Sequence, residues 1–278
     1  MRFRKKMSDR TNEVRNRLAE WGARKSIRAA TLTARSQLRK TGATPRILID
    51  TDVIRSGVTH TNCWVDTGEL LWGGRVSVKT GYRARIPKKV SDDRQRTEKS
   101  YLPGIADLAS TEFLDLYTYR QLEIEQWRQP IRAKTGDALG VSIFKDVPIK
   151  RLEMLVPFRS SLVLADIFPS KERQIELLQK IPDDEWREMQ KTVGSVHLLD
   201  AFHLLTAHKN KIDFFLTMEK KFPNHIRTLK GQGKLSWITC ELVNPSELGQ
   251  RLSIRPVDIR LLGLICRPFP NSVIFNRN

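Results

Sequence analysis

The stretch LLDAFHLLTAHKNKIDFFLTMEKKF, residues 198–222, decides the fold class. It reads as an amphipathic helix, a polar turn at Lys209-Asn210-Lys211, and a mostly apolar strand, Ile212 to Leu216, that ends abruptly in Thr217-Met218-Glu219. Asp200 falls in the first turn of the helix and Glu219 just past the carboxyl end of the strand, the place where open α/β sheets keep their chemistry. A strand covered on both faces reads as a continuous apolar run, so a carboxylate at its tip points into the crevice beyond the sheet edge.

Working outward, RILIDTDVI at residues 46–54 repeats the pattern: Ile47, Leu48 and Ile49 form a buried strand, with Asp50 and Asp52 at its end. Two acids there suit a hard cation, because a strand tip holds a carboxylate rigidly, but an Asp after a strand also serves as a turn or helix cap. A helix is expected from Gly104 to about Thr111, then a strand from Phe113 to Thr118 and a helix from Tyr119 to Gln129. In that last helix Tyr119, Glu123 and Trp127 recur every four residues, which sets Glu123 on an inward stripe and Glu125 on the opposite side. A buried acid must be paired or cation-bound, which makes Glu123 the better candidate of the two for the second acid. Glu125 is left open, and pairing to an Arg is the plain alternative for Glu123.

Further helices are expected over Lys171 to Lys180 and, after a cap at Pro182-Asp183-Asp184, over Glu185 to Val193. LSWITC at 235–240 reads as the final strand and 243–248 as the turn into a short helix, while RSSLVLADIF at 159–168 has an apolar core of strand or helix length. Such alternation predicts an α/β fold: a central parallel sheet flanked by helices, with Asp50, Glu123, Asp200 and Glu219 converging on one edge. Four carboxylates do not stay ionised together without cations, and Mg²⁺ or Mn²⁺ among them makes a site for metal-assisted phosphodiester hydrolysis.

Residues 55–102 read as an insertion. Its hairpin is centred on Asp66-Thr67-Gly68, with an alternating strand from Arg75 to Ile86 and a charged loop from Pro87 to Ser100. Trp64, Trp72 and Tyr82 are available for base stacking or for hairpin packing.

The net charge is +18, and residues 1–40 hold 13 Lys or Arg against three acids, a net of +10. A basic helical arm over 1–45 is expected, capped at Ser8 or Asp9, with Val14, Leu18 and Trp21 as an apolar stripe. It either follows a nucleic-acid backbone or is a solvated helix packed on the body by that stripe. Three dispersed cysteines, Cys63, Cys240 and Cys266, argue for a reducing compartment and against structural zinc. No apolar run approaches a membrane span and no secretory leader is evident, so the expectation is a cytoplasmic protein without a membrane role. Residues 251–278 form a basic, partly apolar extension.

The chain resembles the PIN-domain family of metal-dependent ribonucleases over about residues 46–250, the insertion excepted. The resemblance lies in ILIDTDVI, FLDLYTYRQLEIEQW, DAFHLLTA, the strand ending Leu-Thr-x-acid-x-x-Phe, and ITCELVNPSEL. It implies an endoribonuclease whose acidic quartet, Asp50, Glu123, Asp200 and Glu219, holds Mg²⁺ or Mn²⁺, with the Thr217 hydroxyl beside it. Water, activated by metal, would attack RNA without a covalent intermediate, and Lys220, Lys221, Arg227 and Lys230 would hold the backbone with the arm. His197 and His203 are taken as packing or hydrogen-bonding residues and not as catalysts. Two departures stand out: the fourth acid is Glu219 where Asp is usual, and Asp52 stands where Asn is common. The resemblance also makes a homodimer an expected state, and an inhibitor protein is the usual companion of the family's small toxins, which lack the arm and insertion. A module of the same build that binds RNA or a protein partner without cutting, and a DNA-directed nuclease, are the alternatives.

Overall fold

A computed structural model describes residues 2–72, 75–87, 90, 92–127, 142–153 and 171–261. In chain order come α1 (Arg2–Ala30), α2 (Leu32–Thr41), β1 (Arg46–Ile49), α3 (Thr51–Ser56), β2 (His60–Trp72), β3 (Val76–Pro87), α4 (Asp93–Ser110), β4 (Asp115–Thr118) and α5 (Arg120–Trp127). There follow β5 (Ile149–Arg151), α6 (Lys171–Gln179), α7 (Asp184–Val193), α8 (Leu198–Lys209), β6 (Phe214–Leu216), α9 (Lys221–Gly231), β7 (Glu241–Val243) and α10 (Pro245–Arg251). The expected segment 159–168 lies outside the described residues.

Five strands form one sheet in the order β5-β4-β1-β6-β7, and every pair is parallel. Parallel neighbours need crossovers, and the chain supplies helices for them, so both faces are covered. The central strand shows it: Leu48 packs with Phe202 and Phe215 on one side, while Ile47 and Ile49 pack with Leu102 and Leu216 on the other. Successive side chains of a strand alternate, so one strand of four residues serves two cores. The pairing Leu48↔Phe215, Ile49↔Leu216, continued by Asp50 N–H to Leu216 O at 3.0 Å, brings the carboxyl ends of β1 and β6 level.

Several expectations are corrected. The strand at 235–240 is a turn and coil whose Leu235, Ile238 and Cys240 enter the core, and the ladder forms one step later at β7. The loop at 87–100 is half helix: α4 starts at Asp93, where Asp92 accepts the Arg94 amide at 3.1 Å, and runs through Pro103. Proline usually ends helices, which hid this one. Its polar first turns are held by Glu98, a buried carboxylate that accepts from Ser246 N–H (2.8 Å) and Ser246 Oγ (3.0 Å) at the start of α10. Anionic groups are favoured at a helix amino end. The hairpin does not turn at Asp66-Thr67-Gly68; a bulge occurs there, with Gly68 at φ 101° and its N–H donating to Asp66 Oδ1 at 2.8 Å.

The arm is likewise rearranged. Val14, Leu18 and Trp21 are 58%, 64% and 61% exposed, and the packing stripe among the described residues begins instead at Ala23 and continues through Ile27, Ala30, Ala34 and Leu38. The chain beyond α10 straps this half of the helix down: Arg255 N–H donates to Ala30 O at 3.0 Å, and Val257 packs on Ile27 and Ala30. Small alanines let the backbones approach, a signal weaker in sequence than a Leu/Trp stripe.

Candidate functional site

The site forms where β1, β4 and β6 end. Asp50 occupies the N-cap position of α3, yet its side chain makes no capping bond. Its Oδ2 instead accepts from Thr217 Oγ1 at 2.7 Å, and Thr217 is itself fixed by its N–H to Val243 O at 3.0 Å. Burial pushes Asp50 up to about 6; Thr217 and His203 work against that rise, while the charges of Asp52 and Glu125 add to it. The helix-cap use open to an Asp after a strand is therefore not the one adopted.

Asp200 lies in the first turn of α8. Burial raises its pKa as well, opposed by His203 and reinforced by Glu125. His197 Nδ1 is 3.6 Å from its Oδ2. One turn along the same face of α8 stands His203, 2% exposed, and the i, i+3 spacing puts it over Asp200. Its Nε2–H donates to Glu125 Oε1 at 3.1 Å, since a carboxylate only accepts, while Nδ1 is 2.5 Å from Tyr119 Oη. Burial alone would lower the His203 pKa, but Glu125, Asp200 and Asp50 together carry it above the ordinary histidine value. His203 is thus set among three acids that favour its charged form.

The acid on α5 facing this cluster is Glu125 and not Glu123, which corrects the stripe drawn through Tyr119, Glu123 and Trp127. Tyr119 precedes the helix, and among the described side chains of α5 the buried arc is Gln121 and Leu122. At 3.6 residues per turn Glu125 follows that arc, and Glu123 lies roughly 200° away from Glu125. Glu123 pairs with Arg151 of β5 at 2.8 Å, the Arg alternative its position allowed. Glu125 was legible as the second choice of two candidate acids on this helix, and His203 as the polar residue on an otherwise apolar helix face.

Glu219 is exposed, and its N–H donates to Thr217 Oγ1 at 3.2 Å, which places Glu219 on the same turn as the Asp50 partner. Its residue lines a cleft with Asp52 and Arg94, to one side of Asp50. Asp52 pairs with Arg55 at 3.2 Å. Of the cations expected to hold a backbone, Arg227 pairs with Glu247 at 2.6 Å and Lys230 donates to Ile238 O at 2.6 Å, while Lys220 and Lys221 are exposed.

The oxygen-rich set Asp50, Glu125 and Asp200 is of the donor chemistry a hard divalent cation takes, and the charge of Glu125 acts on both Asp50 and Asp200. Among the described residues, no group of three or more His, Cys, Asp or Glu stands close enough to hold a metal ion. Among them, too, no helix is long and apolar enough to cross a membrane. Comparison of the chain with protein-family models, with characterised proteins and with solved structures yields no match.

Proposed function

We propose that this protein is a divalent-metal-dependent endoribonuclease of PIN-like build, hydrolysing RNA phosphodiester bonds. The observation that carries this reading is the Asp50 carboxylate, held at a helix amino end without capping it, fixed by Thr217, and raised by burial and by neighbouring acids. Carboxylates kept in that state cost stability, and perturbed acids in a cleft mark functional sites. The all-parallel order β5-β4-β1-β6-β7 is compatible with a PIN-like fold, with β2–β3 as an insertion and α1–α2 as an added arm.

In this reading Asp50, Asp200 and Glu125 would hold Mg²⁺ or Mn²⁺, and Glu219 would take the fourth acidic position. When bound, the metal supplies a water of lowered pKa and charge to offset the phosphate. The chain does the rest. Thr217 orients Asp50, His203 orients Glu125, and Tyr119 fixes the His203 ring, so that the carboxylates are presented from rigid elements. Lys220 and Lys221, which are exposed, and the basic residues of α1 attract the RNA backbone.

The bond between His203 and Glu125 favours a second reading, in which the fold binds RNA or a protein partner and does not cut. The two separate on cleavage of labelled single-stranded RNA and DNA by wild type and Asp200→Asn, with Mg²⁺, Mn²⁺ or EDTA. Metal-dependent cutting of RNA that vanishes in the variant supports the nuclease. Intact RNA in every metal, with salt-sensitive binding retained by both proteins, supports the binding module, and cutting of DNA alone moves the substrate to DNA.

A further inference from the structure

A cleft of about 370 Å³ opens beside the turn that carries Thr217, between α3, the first two turns of α4, and Met218 and Glu219. Ligand pockets run from roughly 300 to 1,000 Å³, so this one suits a single nucleoside and not a longer piece. Four carboxylates and three cations line it. Much of that charge already has a structural use. Arg55 is 3.2 Å from Asp52, Arg94 donates to Met218 O at 3.2 Å, Asp92 caps α4, and Glu98 holds Ser246. A wall with slightly more negative than positive charge disfavours a free phosphate.

What such a wall does recognise is a neutral ring with donors and acceptors along its edge. Gln95 lines the cleft, is exposed, and offers both an amide N–H₂ and a carbonyl. Met218, partly buried against the core, gives the cleft a polarisable apolar surface of the kind that packs on aromatic rings. We propose that this cleft seats the base of one RNA nucleotide adjoining the phosphate at Asp50, and that Gln95 reads the edge of that base. The ligand class rests on the nuclease reading; the site itself rests on the cleft.

The test is binding of short labelled homopolymers of rA, rC and rU, in EDTA and over a series of salt concentrations, by wild type and Gln95→Ala. Wild type is expected to prefer one base, and the variant to lose that preference by roughly tenfold, the size of one bidentate base contact. The salt slope should stay unchanged, because a base contact releases no phosphate counterions. Equal binding of the three polymers by wild type, an unaltered preference in Gln95→Ala, or a uniform loss with a shallower salt slope each overturns the proposal. Since cleavage is not read here, a Gln95-dependent preference in a protein that cuts nothing keeps the cleft and removes the nuclease, and a cutting protein with no such preference does the reverse.

Discussion

His203 Nε2 lies 3.1 Å from Glu125 Oε1, whereas Glu123, two residues earlier on the same helix, is 2.8 Å from Arg151. One helix therefore presents one acid to the cluster around Asp50 and the other to the sheet edge. Glu125→Gln keeps an acceptor for His203 and removes only charge. It should weaken Mn²⁺ binding, measured by titration, by roughly 10- to 100-fold and lower cleavage with it. Glu123→Gln, which breaks an exposed pair, should change neither by more than about twofold. Equal losses in the two variants would exclude Glu125 as the distinguishing acid.

Asp50 sits near 6 in the folded chain against 3.8 for an ordinary Asp. With the folded value raised, the native state binds its proton more tightly than the unfolded one between those values. Stability in the absence of metal therefore falls as pH climbs from about 4 to about 6 and stays reduced above. At 1.36 kcal/mol per pH unit the cost at neutral pH is on the order of 2–3 kcal/mol. Asp50→Asn should remove it: in EDTA, urea unfolding is expected to show the variant more stable than wild type at about pH 8 and equal to it near pH 4. A variant less stable at both pH values would show that Asp50 carries no desolvation cost.

Helix α10 reaches α4 by way of Gly249. A Cβ placed there would lie 2.2 Å from Tyr101 Cδ1. Gly249→Ala should cost about 1–3 kcal/mol, seen as a lower melting temperature, because the ring or the helix must move. Tyr101→Leu should return part of that loss in the double variant, as the effects of touching residues do not add. Additive losses would place the strain elsewhere.

Among the described residues the buried face of α1 starts at Ala23, and a deletion of residues 1–21 leaves that face in place. They carry seven Lys or Arg. If the arm follows RNA, each phosphate that it no longer neutralises lowers the slope of log affinity on log salt by about 0.7, and the deletion should lower it by at least about 2. Fluorescence anisotropy in EDTA across a KCl series reads this directly. An unchanged slope would mean that the exposed stripe of Val14, Leu18 and Trp21 serves another purpose.

The elements whose signal is local were legible in the chain. Residues 198–216 show helix, turn and strand in their own periodicity, and Ile47, Leu48 and Ile49 announce a strand buried on both faces whatever lies beside them. Asp50, Asp200, Thr217 and Glu219 follow from those elements, because an acid or hydroxyl at a strand tip or in a helix first turn has few places to go. The Asp92 and Glu98 turns of α4 were hidden by Pro103, and the strand after Ile238 by a core that takes apolar residues from coil as readily as from a ladder.

Which carboxylates meet was decided only in three dimensions. Glu123 and Glu125 are chemically the same, and the choice between them depends on the rotation of α5 about its axis, set when Tyr119 and Leu122 enter the core and Arg151 arrives from β5. The same holds for His203, a packing or hydrogen-bonding residue by its helix alone, whose partners Tyr119 and Glu125 come from 84 and 78 residues away. Sequence fixes the period of an element and the identity of its acids; the interactions that rotate one element against another are long-range, and the local pattern holds no record of them.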